Sequence, residues 1–481
     1  MKDVIGEYLR KRADLDTWPL AGADTRGIDH AVVIPALAEY PALFDTLSDL
    51  AGSPPEALER TLVIAVVNNR AEPHARAEDL ENNRETLETL ERGAYPAALR
   101  LAYVDASRPG HELPEKGGVG WARKIGLDWA AAVLHENAAP EGGVISLDAD
   151  TRVDANYLPA LQAFFTRKKG TVPSIAGESP ILSLRGASPR ATRQSISGST
   201  TSAAPLTPGP RWAAVVDYAH PTDDPELGPA MLAYELFLRY HELGLYRARS
   251  PYAFPTIGST IACTTRAYAS VAGMNRRQAG EDFYFLQQLA KTGSVERITS
   301  TTVRPAARRS HRVPFGTGAT IGRFGDDPAA IHQVYHPAVY AILGAWLRAV
   351  REGLGGDGPS LIARAECIAP ELAAFLLEQG FPAAWDQLRK NHREPQRLWR
   401  HFHAWFDAFH TLKLIHHLRD HGYPQTDLFA AFPVLFADLN LTPPQTFGDN
   451  PEDQRLLLHF LRQYSRTLPP GGLAAIDPIL E

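Results

Sequence analysis

Val144-Ile145-Ser146-Leu147-Asp148-Ala149-Asp150 decides how the rest of this chain is read: an apolar run that stops at two carboxylates one residue apart. Preceded by the Gly142-Gly143 turn signal, a run of that length reads as a buried strand of a parallel sheet. The two acids then sit at its carboxyl end, the edge where open α/β sheets bind their ligands. Paired carboxylates there offer hard oxygen donors to Mg²⁺ or Mn²⁺, ions that bridge readily to diphosphates. Asp also favours turns and helix caps, so capping of the following turn is an equal reading of the pair by itself.

Working outward, the same pattern recurs on the amino-terminal side. Ala31-Val32-Val33-Ile34-Pro35 is an apolar strand with Glu39 just past its end, followed by a helical stripe of Leu43, Leu47 and Leu50. Leu62 to Val67 is a further buried strand ending in Asn68-Asn69-Arg70, and Leu101 to Asp105 another, with a polar helix from Glu81 to Glu91 between them. Strands and helices in alternation, with polar residues at the strand ends, predict a parallel α/β layer. Residues 1–29 read as a helix (Val4 to Arg12) and a loop leading in.

Lys116-Gly117-Gly118-Val119-Gly120 opens a helix whose Trp121, Ile125, Trp129 and Val133 recur every four positions and are expected to pack on the sheet. The segment lacks the Gly-Lys-Ser/Thr ending of a P-loop and the spacing of a dinucleotide fingerprint, so a tight turn is expected rather than a phosphate cradle. Arg123 and Lys124 either reach a phosphate or face solvent, with at least one of them expected in solvent.

Past the Asp148 strand, Tyr157 to Phe165 reads as a helix, and residues 168–210 are rich in Ser, Thr, Pro and Gly with few large apolar side chains. Burial there cannot offset ordering entropy, which predicts a mobile insertion, with a substrate lid as the other reading. Order resumes with a strand from Trp212 to Tyr218, a helix from Met231 to Leu245, and a strand from Thr256 to Ala262, whose Gly258 marks a close approach. Gly280-Glu281-Asp282 opens a helix with Phe283, Leu286 and Ala290 inward. Its dipole favours negative charge in the first turn and is expected to keep Asp282 ionised. Capping accounts for Glu281; capping and catalysis stand level for Asp282. The basic stretch Arg304 to Arg312, containing His311, is either a leaving-group clamp or an exposed loop.

From about Pro328 the pattern is wholly helical: Val339 to Arg351, Ser360 to Glu378, Ala383 to Asn391, Leu398 to His421 and Asp453 to Thr467. His401, His403, His410, His416, His417 and His421 fall on one expected helix, at spacings that match no standard metal site. The expected domains are therefore a lead-in at 1–29, an α/β domain at 30–327 and a helical domain at 328–481.

With 481 residues and 44% hydrophobic content the chain can bury more than one core. A net charge of -6 provides no overall basic field for nucleic acid or an anionic membrane. Cys263 and Cys367 show no metal or redox spacing and are expected to stay reduced. Without a signal-peptide core or a run of about 18 apolar residues, a cytoplasmic enzyme is the expectation.

In order and spacing, Val33-Ile34-Pro35 with Glu39, Asn68-Asn69, Gly120-Trp121-Ala122-Arg123-Lys124-Ile125-Gly126, Asp148-Ala149-Asp150 and Gly280-Glu281-Asp282 together resemble the GT-A glycosyltransferases, most of all glycosyltransferase family 2. The resemblance spans roughly residues 30–320 and leaves out the helical tail. It implies a Rossmann-like mixed sheet flanked by helices, and transfer of a sugar from a nucleotide-sugar donor to a hydroxyl acceptor, with inversion. It further implies that Pro35, Glu39, Asn68, Arg123 and Asp148 hold the donor. Asp150 and Asp148 would carry Mn²⁺ or Mg²⁺, with His311 as a further ligand. Asp282, with Glu281 beside it, would form the catalytic pair, Asp282 being the general base. The chain departs from the family at Ala38-Glu39, where Asn-Glu is usual, at Asn68-Asn69, where an acidic pair is usual, and in lacking a membrane-spanning tail. The competing readings are a sugar-nucleotide nucleotidylyltransferase, which would carry a Gly-rich basic loop where this chain has Ala36-Leu37-Ala38-Glu39, and a non-catalytic binding protein on the same fold with the helical domain as its interaction surface. On any of these readings the helical domain is also a candidate surface for oligomerisation.

Overall fold

The computed structural model describes residues 3–166, 212–308, 331–443 and 447–476. The insertion expected at 168–210 and His311 fall outside the described residues. The first half of the chain runs α1 (Val4–Arg12), β1 (Leu20–Gly22), β2 (His30–Ala36), α2 (Ala42–Ala51), α3 (Pro55–Glu59), β3 (Thr61–Asn68), α4 (Ala77–Glu91), β4 (Arg100–Ala106), α5 (Val119–Glu136), β5 (Gly143–Ser146), β6 (Arg152–Val153) and α6 (Tyr157–Thr166). It continues through β7 (Ala213–Tyr218), α7 (Gly228–Arg247), β8 (Ile261–Thr264), α8 (Thr265–Ser270), α9 (Glu281–Thr292) and β9 (Val295–Arg304).

The nine strands form one sheet in the order β1-β4-β3-β2-β5-β8-β7-β9-β6. Strands β4, β3, β2 and β5 are parallel, and β8 is antiparallel to both of its neighbours. This is the mixed sheet that was expected. Alternation along the strands explains why helices cover both sides. Ala31, Val33, Leu62, Ile64 and Val66 pack with α1, α5, α8 and α9. Val32, Ile34, Val63, Ala65 and Val67 pack with α2, α3, α4 and α6. Helix α5 lies close on the central strands because a Cβ at Gly126 would stand 2.3 Å from Val33 Cγ1 and 2.8 Å from Val66 Cγ2.

The lead-in is more structured than expected. Strand β1 pairs antiparallel with β4, and Tyr8 of α1 donates to Asp128 of α5 at 2.6 Å. Trp121 and Trp129, expected on the sheet, instead meet Trp18: its ring lies 5.7 Å from that of Trp121, and Trp129 Nε1 donates to its carbonyl at 2.7 Å.

Beyond residue 331 the described chain is mainly helical, and its core includes Leu232, Leu236, Tyr240 and Leu243 of α7. Two expected helices are each broken in two. Ser360 to Glu378 divides into Gly358–Ile368 and Pro370–Glu378, because the residue before a proline is pushed out of helical conformation and Ala369 is extended. Leu398 to His421 divides into Pro395–Trp405 and Ala408–Asp420, the second started by Asp407, whose carboxylate accepts from the Phe409 and His410 amides. Five of the six histidines expected on one helix are therefore shared between two, and His421 follows the second. Among the described residues no group of three or more His, Cys, Asp or Glu side chains can hold a metal. Helix Leu428–Asp438 was not anticipated, its pattern being masked by an internal Pro433. Helix Pro451–Ser465 is tied back to α7 by Arg462, which donates to both carboxylate oxygens of buried Glu235 at 2.8 Å. Cys263 and Cys367 are both free. No helix among the described residues is long and apolar enough to cross a membrane.

Candidate active site

The strand order places a crevice before any side chain is considered. From β2 the chain steps to β3 and β4 on one side, then returns to β5 on the other, so the sheet reverses direction between β2 and β5. Ligands of open α/β sheets bind outside the carboxyl ends of the strands at such a point. The β2–β5 ladder ends at Val33 and Ser146, after which only the Leu147 amide reaches Val33 O, at 3.0 Å. Strand β5 is thus shorter than expected, and Leu147, Asp148, Ala149 and Asp150 form the turn beyond it. Pro35 lies two residues past the last β2–β5 pair, where its missing N–H interrupts no bond on that side. It is buried within the strand rather than placed in the crevice.

One arginine joins the two acidic motifs. Arg123, in the first turns of α5, donates through Nη2 to Asp148 Oδ1 at 2.7 Å and through Nε to Glu281 Oε1 at 2.9 Å. Its Nη1 donates to Ser146 Oγ at 2.5 Å and to Gly258 O at 3.2 Å. Arg123 is 4% exposed and Lys124 6%, so neither faces solvent as expected. Lys124 pairs with Asp128 at 2.6 Å inside the α1–α5–α8 contact. Burial opposes the Arg123 charge, yet Asp148, Glu281 and Asp282 together raise its pKa. Gly258 does mark a close approach, but by this guanidinium: a Cβ there would stand 2.2 Å from Arg123 Nη2. The expected strand from Thr256 correspondingly begins only at Ile261, after a 3₁₀ turn over Gly258–Thr260.

A second arginine closes the other side. Arg308 Nε lies 2.6 Å from Asp150 Oδ2, and its two Nη groups donate to the two oxygens of Glu39. Of the basic stretch read as clamp or exposed loop, Arg308 therefore faces the acids, while Arg304 pairs with Asp154 at 2.7 Å.

The acids perturb one another. Asp282 is pushed up to about 7, first by burial and then by Glu281, against Arg123 and the Phe283 amide; Asp148 adds to the rise. The helix dipole, expected to keep Asp282 ionised, is thus opposed by burial and by Glu281, and the net direction is upward. Asp150 is pushed up to about 7 by burial, with Glu39 and Asp148 adding to the rise and Arg308 opposing it. The field of Asp148 thus reaches Asp150 in its own turn and Glu281 and Asp282 at the start of α9, so two distant stretches converge on one crevice.

Asn68 and Asn69 are buried and serve the strand ends. Asn68 Nδ2 donates to Val66 O at 3.1 Å and Asn69 Nδ2 to Ser107 O at 3.1 Å. Asn83 of α4 donates to Asn68 O at 3.0 Å and to Asn69 Oδ1 at 2.9 Å, and accepts from the Ala38 amide at 2.9 Å. Asn83, Ser146 and Arg308 were not singled out from sequence. Nothing local marks Asn83 within an acidic helix, or one arginine within a basic stretch.

Asp148 and Asp150 have the oxygen donors that Mg²⁺ or Mn²⁺ requires, and two carboxylates suit a cation completed by phosphate oxygens and water. Each already pairs with a guanidinium, so a cation at Asp150 would have to displace Arg308.

No protein-family model and no curated protein matches this chain. Solved structures do resemble it. Staphylococcus aureus TarS residues 1–349 in complex with UDP-GlcNAc is 12% identical, with 73% of this chain and 86% of that one covered and a TM-score of 0.37. The mannosyltransferase PcManGT from Pyrobaculum calidifontis, in complex with GDP-Man and Mn²⁺, is 13% identical, with 84% and 93% covered and a TM-score of 0.32. Likeness at this level assigns neither an activity nor a ligand to this chain.

Proposed function

We propose that the crevice between β2 and β5 transfers a sugar from a nucleotide-sugar donor to a hydroxyl acceptor, with Asp282 as general base. The observation that carries this reading is Asp282 itself: a half-buried carboxylate pushed up to about 7, next to the Glu281 that Arg123 ties to Asp148 at the binding edge of the sheet. A base held near the working pH is protonated and deprotonated with equal ease, as proton abstraction from a hydroxyl requires.

In the proposed step the acceptor oxygen bonds to the anomeric carbon while Asp282 takes its proton. The bond to the nucleoside diphosphate breaks, the diphosphate leaves with the electron pair, and attack from the opposite face inverts the anomeric centre. Arg123 holds Asp148 and Glu281 at fixed separation. Arg308, released from Asp150 and Glu39, supplies a planar donor fork suited to phosphate. Asp148 and Asp150 would hold a divalent cation, which when bound neutralises charge on the departing diphosphate. Glu39 and Asn68 lie at the ends of β2 and β3, where a nucleoside would be received.

Calorimetry against a panel of nucleotide sugars, with Mn²⁺ and with a chelator, tests the assignment. One donor should bind with metal-enhanced affinity, and Asp282→Asn should keep that binding while losing release of the nucleoside diphosphate. Full turnover by Asp282→Asn would move the base elsewhere; unchanged metal dependence in Asp150→Asn would remove the metal.

A further inference from the structure

The loop between β2 and α2 presents an uncovered aromatic ring beside the crevice. Tyr40, the residue after Glu39, is 39% exposed, and no other Phe, Tyr or Trp among the described residues is exposed. Its ring neighbour is Phe44, 5.6 Å away with the planes at 71°, a contact that covers at most one of the two faces. Single apolar side chains are common on protein surfaces, so exposure alone assigns nothing.

The backbone that carries the ring supplies a second observation. Asn82 of α4 accepts from the Tyr40 amide through Oδ1 at 2.8 Å and donates through Nδ2 to the Tyr40 carbonyl at 3.0 Å. The adjacent Asn83 accepts from the Ala38 amide at 2.9 Å and donates to Asn68 O and Asn69 Oδ1, which ties the loop to the end of β3. Two neighbouring side chains of one helix thus grip the residues before and after Glu39. Ala38 has a φ of +52°, in the left-handed region that residues with a Cβ seldom adopt and keep only where their surroundings impose it. Burial does not account for this arrangement, because the strained and doubly clamped loop leaves its one aromatic ring open.

Position selects the occupant. Tyr40 is bound to α4, which follows β3, so it stands on the β3 side of β2. Asp282 adjoins Glu281, which Arg123 links to Asp148 beyond β5, on the other side of β2. A diphosphate received between them leaves the acceptor to Asp282 and the nucleoside to Tyr40. A nucleobase presents a flat π-face to such a ring, whichever base it is.

We propose that Tyr40 stacks on the nucleobase of the donor, with Asn82 as the positioning residue that holds its backbone; this rests on the reading of the crevice as a nucleotide-sugar site. Stacking engages the face of the base and not its hydrogen-bonding edge, so the contact supplies affinity without choosing among bases.

Calorimetry of the full chain with UDP, GDP, ADP and CDP against inorganic pyrophosphate, all with Mn²⁺, isolates the contact, because pyrophosphate keeps the charge and lacks the base. At least one nucleoside diphosphate should bind the native chain about tenfold or more tightly than pyrophosphate. Tyr40→Ala should weaken that binding by about tenfold and leave pyrophosphate within about twofold, and Tyr40→Phe should restore it. Asn82→Ala should weaken the nucleoside diphosphate alone, and adding it to Tyr40→Ala should change nothing further, since the two act through one contact. Undiminished nucleoside diphosphate affinity in Tyr40→Ala, an equal loss of pyrophosphate affinity, or full additivity of the two variants would overturn the proposal and leave the reading of the crevice standing. Binding of neither pyrophosphate nor any nucleoside diphosphate to the native chain would overturn both.

Discussion

The pH dependence of turnover is the sharpest consequence of the crevice geometry. Asp282 is carried to about 7 by burial and by Glu281, its chain neighbour. As a general base it acts only when ionised, so activity must rise with pH through that value. At pH 6 about 9% of the molecules would hold Asp282 ionised and at pH 8 about 91%, roughly a tenfold increase in kcat/KM across two pH units. Glu281→Gln removes a neighbouring negative charge and leaves Arg123 with one anionic partner fewer. Both changes favour ionised Asp282, so the inflection should move down by about 1 pH unit or more. The assay is continuous release of nucleoside diphosphate at fixed ionic strength from pH 5 to 9, for the native chain, Glu281→Gln and Asp282→Asn. A flat native profile would refute the assignment of the base, as would an inflection that Glu281→Gln leaves in place.

Three further outcomes follow from the same contacts. Gly258→Ala places a methyl where the Arg123 guanidinium now lies, and should weaken donor binding by about tenfold or more. Its circular dichroism should be native, and native donor affinity would show that the bridge does not support the site. Arg308→Ala frees Asp150 and Glu39 from their cation, so Mn²⁺ should raise the melting temperature of this variant more than that of the native chain. Equal shifts would mean that Arg308 and the metal do not compete. Arg462→Met leaves buried Glu235 with Arg239 and His220 alone and should cost about 1–3 kcal/mol in denaturant unfolding, with donor affinity unchanged. Burial would raise the Glu235 pKa, but Arg462, His220 and Arg239 draw it below the ordinary range. The ionised group therefore adds stability above that range and loses it as pH falls, and Arg462→Met should flatten the acid limb of the native stability curve.

Much of the α/β layer was legible because its strands are short, apolar and punctuated. β2, β3, β4 and β5 each begin within a residue or two of where alternation and turn signals put them, and α1 matches its expected span. Such elements are specified by residues adjacent in the chain, which is what periodicity measures. The helical half was less legible. Its breaks at Ala369-Pro370 and Phe406-Asp407 interrupt apolar patterns that read continuously, because one cap or one proline ends a helix without altering the stripe on either side.

The site divides along the same line. The amino-acid sequence alone determined which carboxylates end the strand and open the helix, since Asp148, Asp150, Glu281 and Asp282 stand at the boundaries of local elements. Only the tertiary structure decided what those carboxylates face. Arg123 reaches Glu281 across 158 positions and Arg308 reaches Glu39 across 269, and no local pattern encodes a partner at that separation. The pKa of Asp282 divides in the same way: the helix dipole and the adjacent Glu281 are local and act in opposite directions, while the burial that raises it most, and the added push from Asp148, come from the fold.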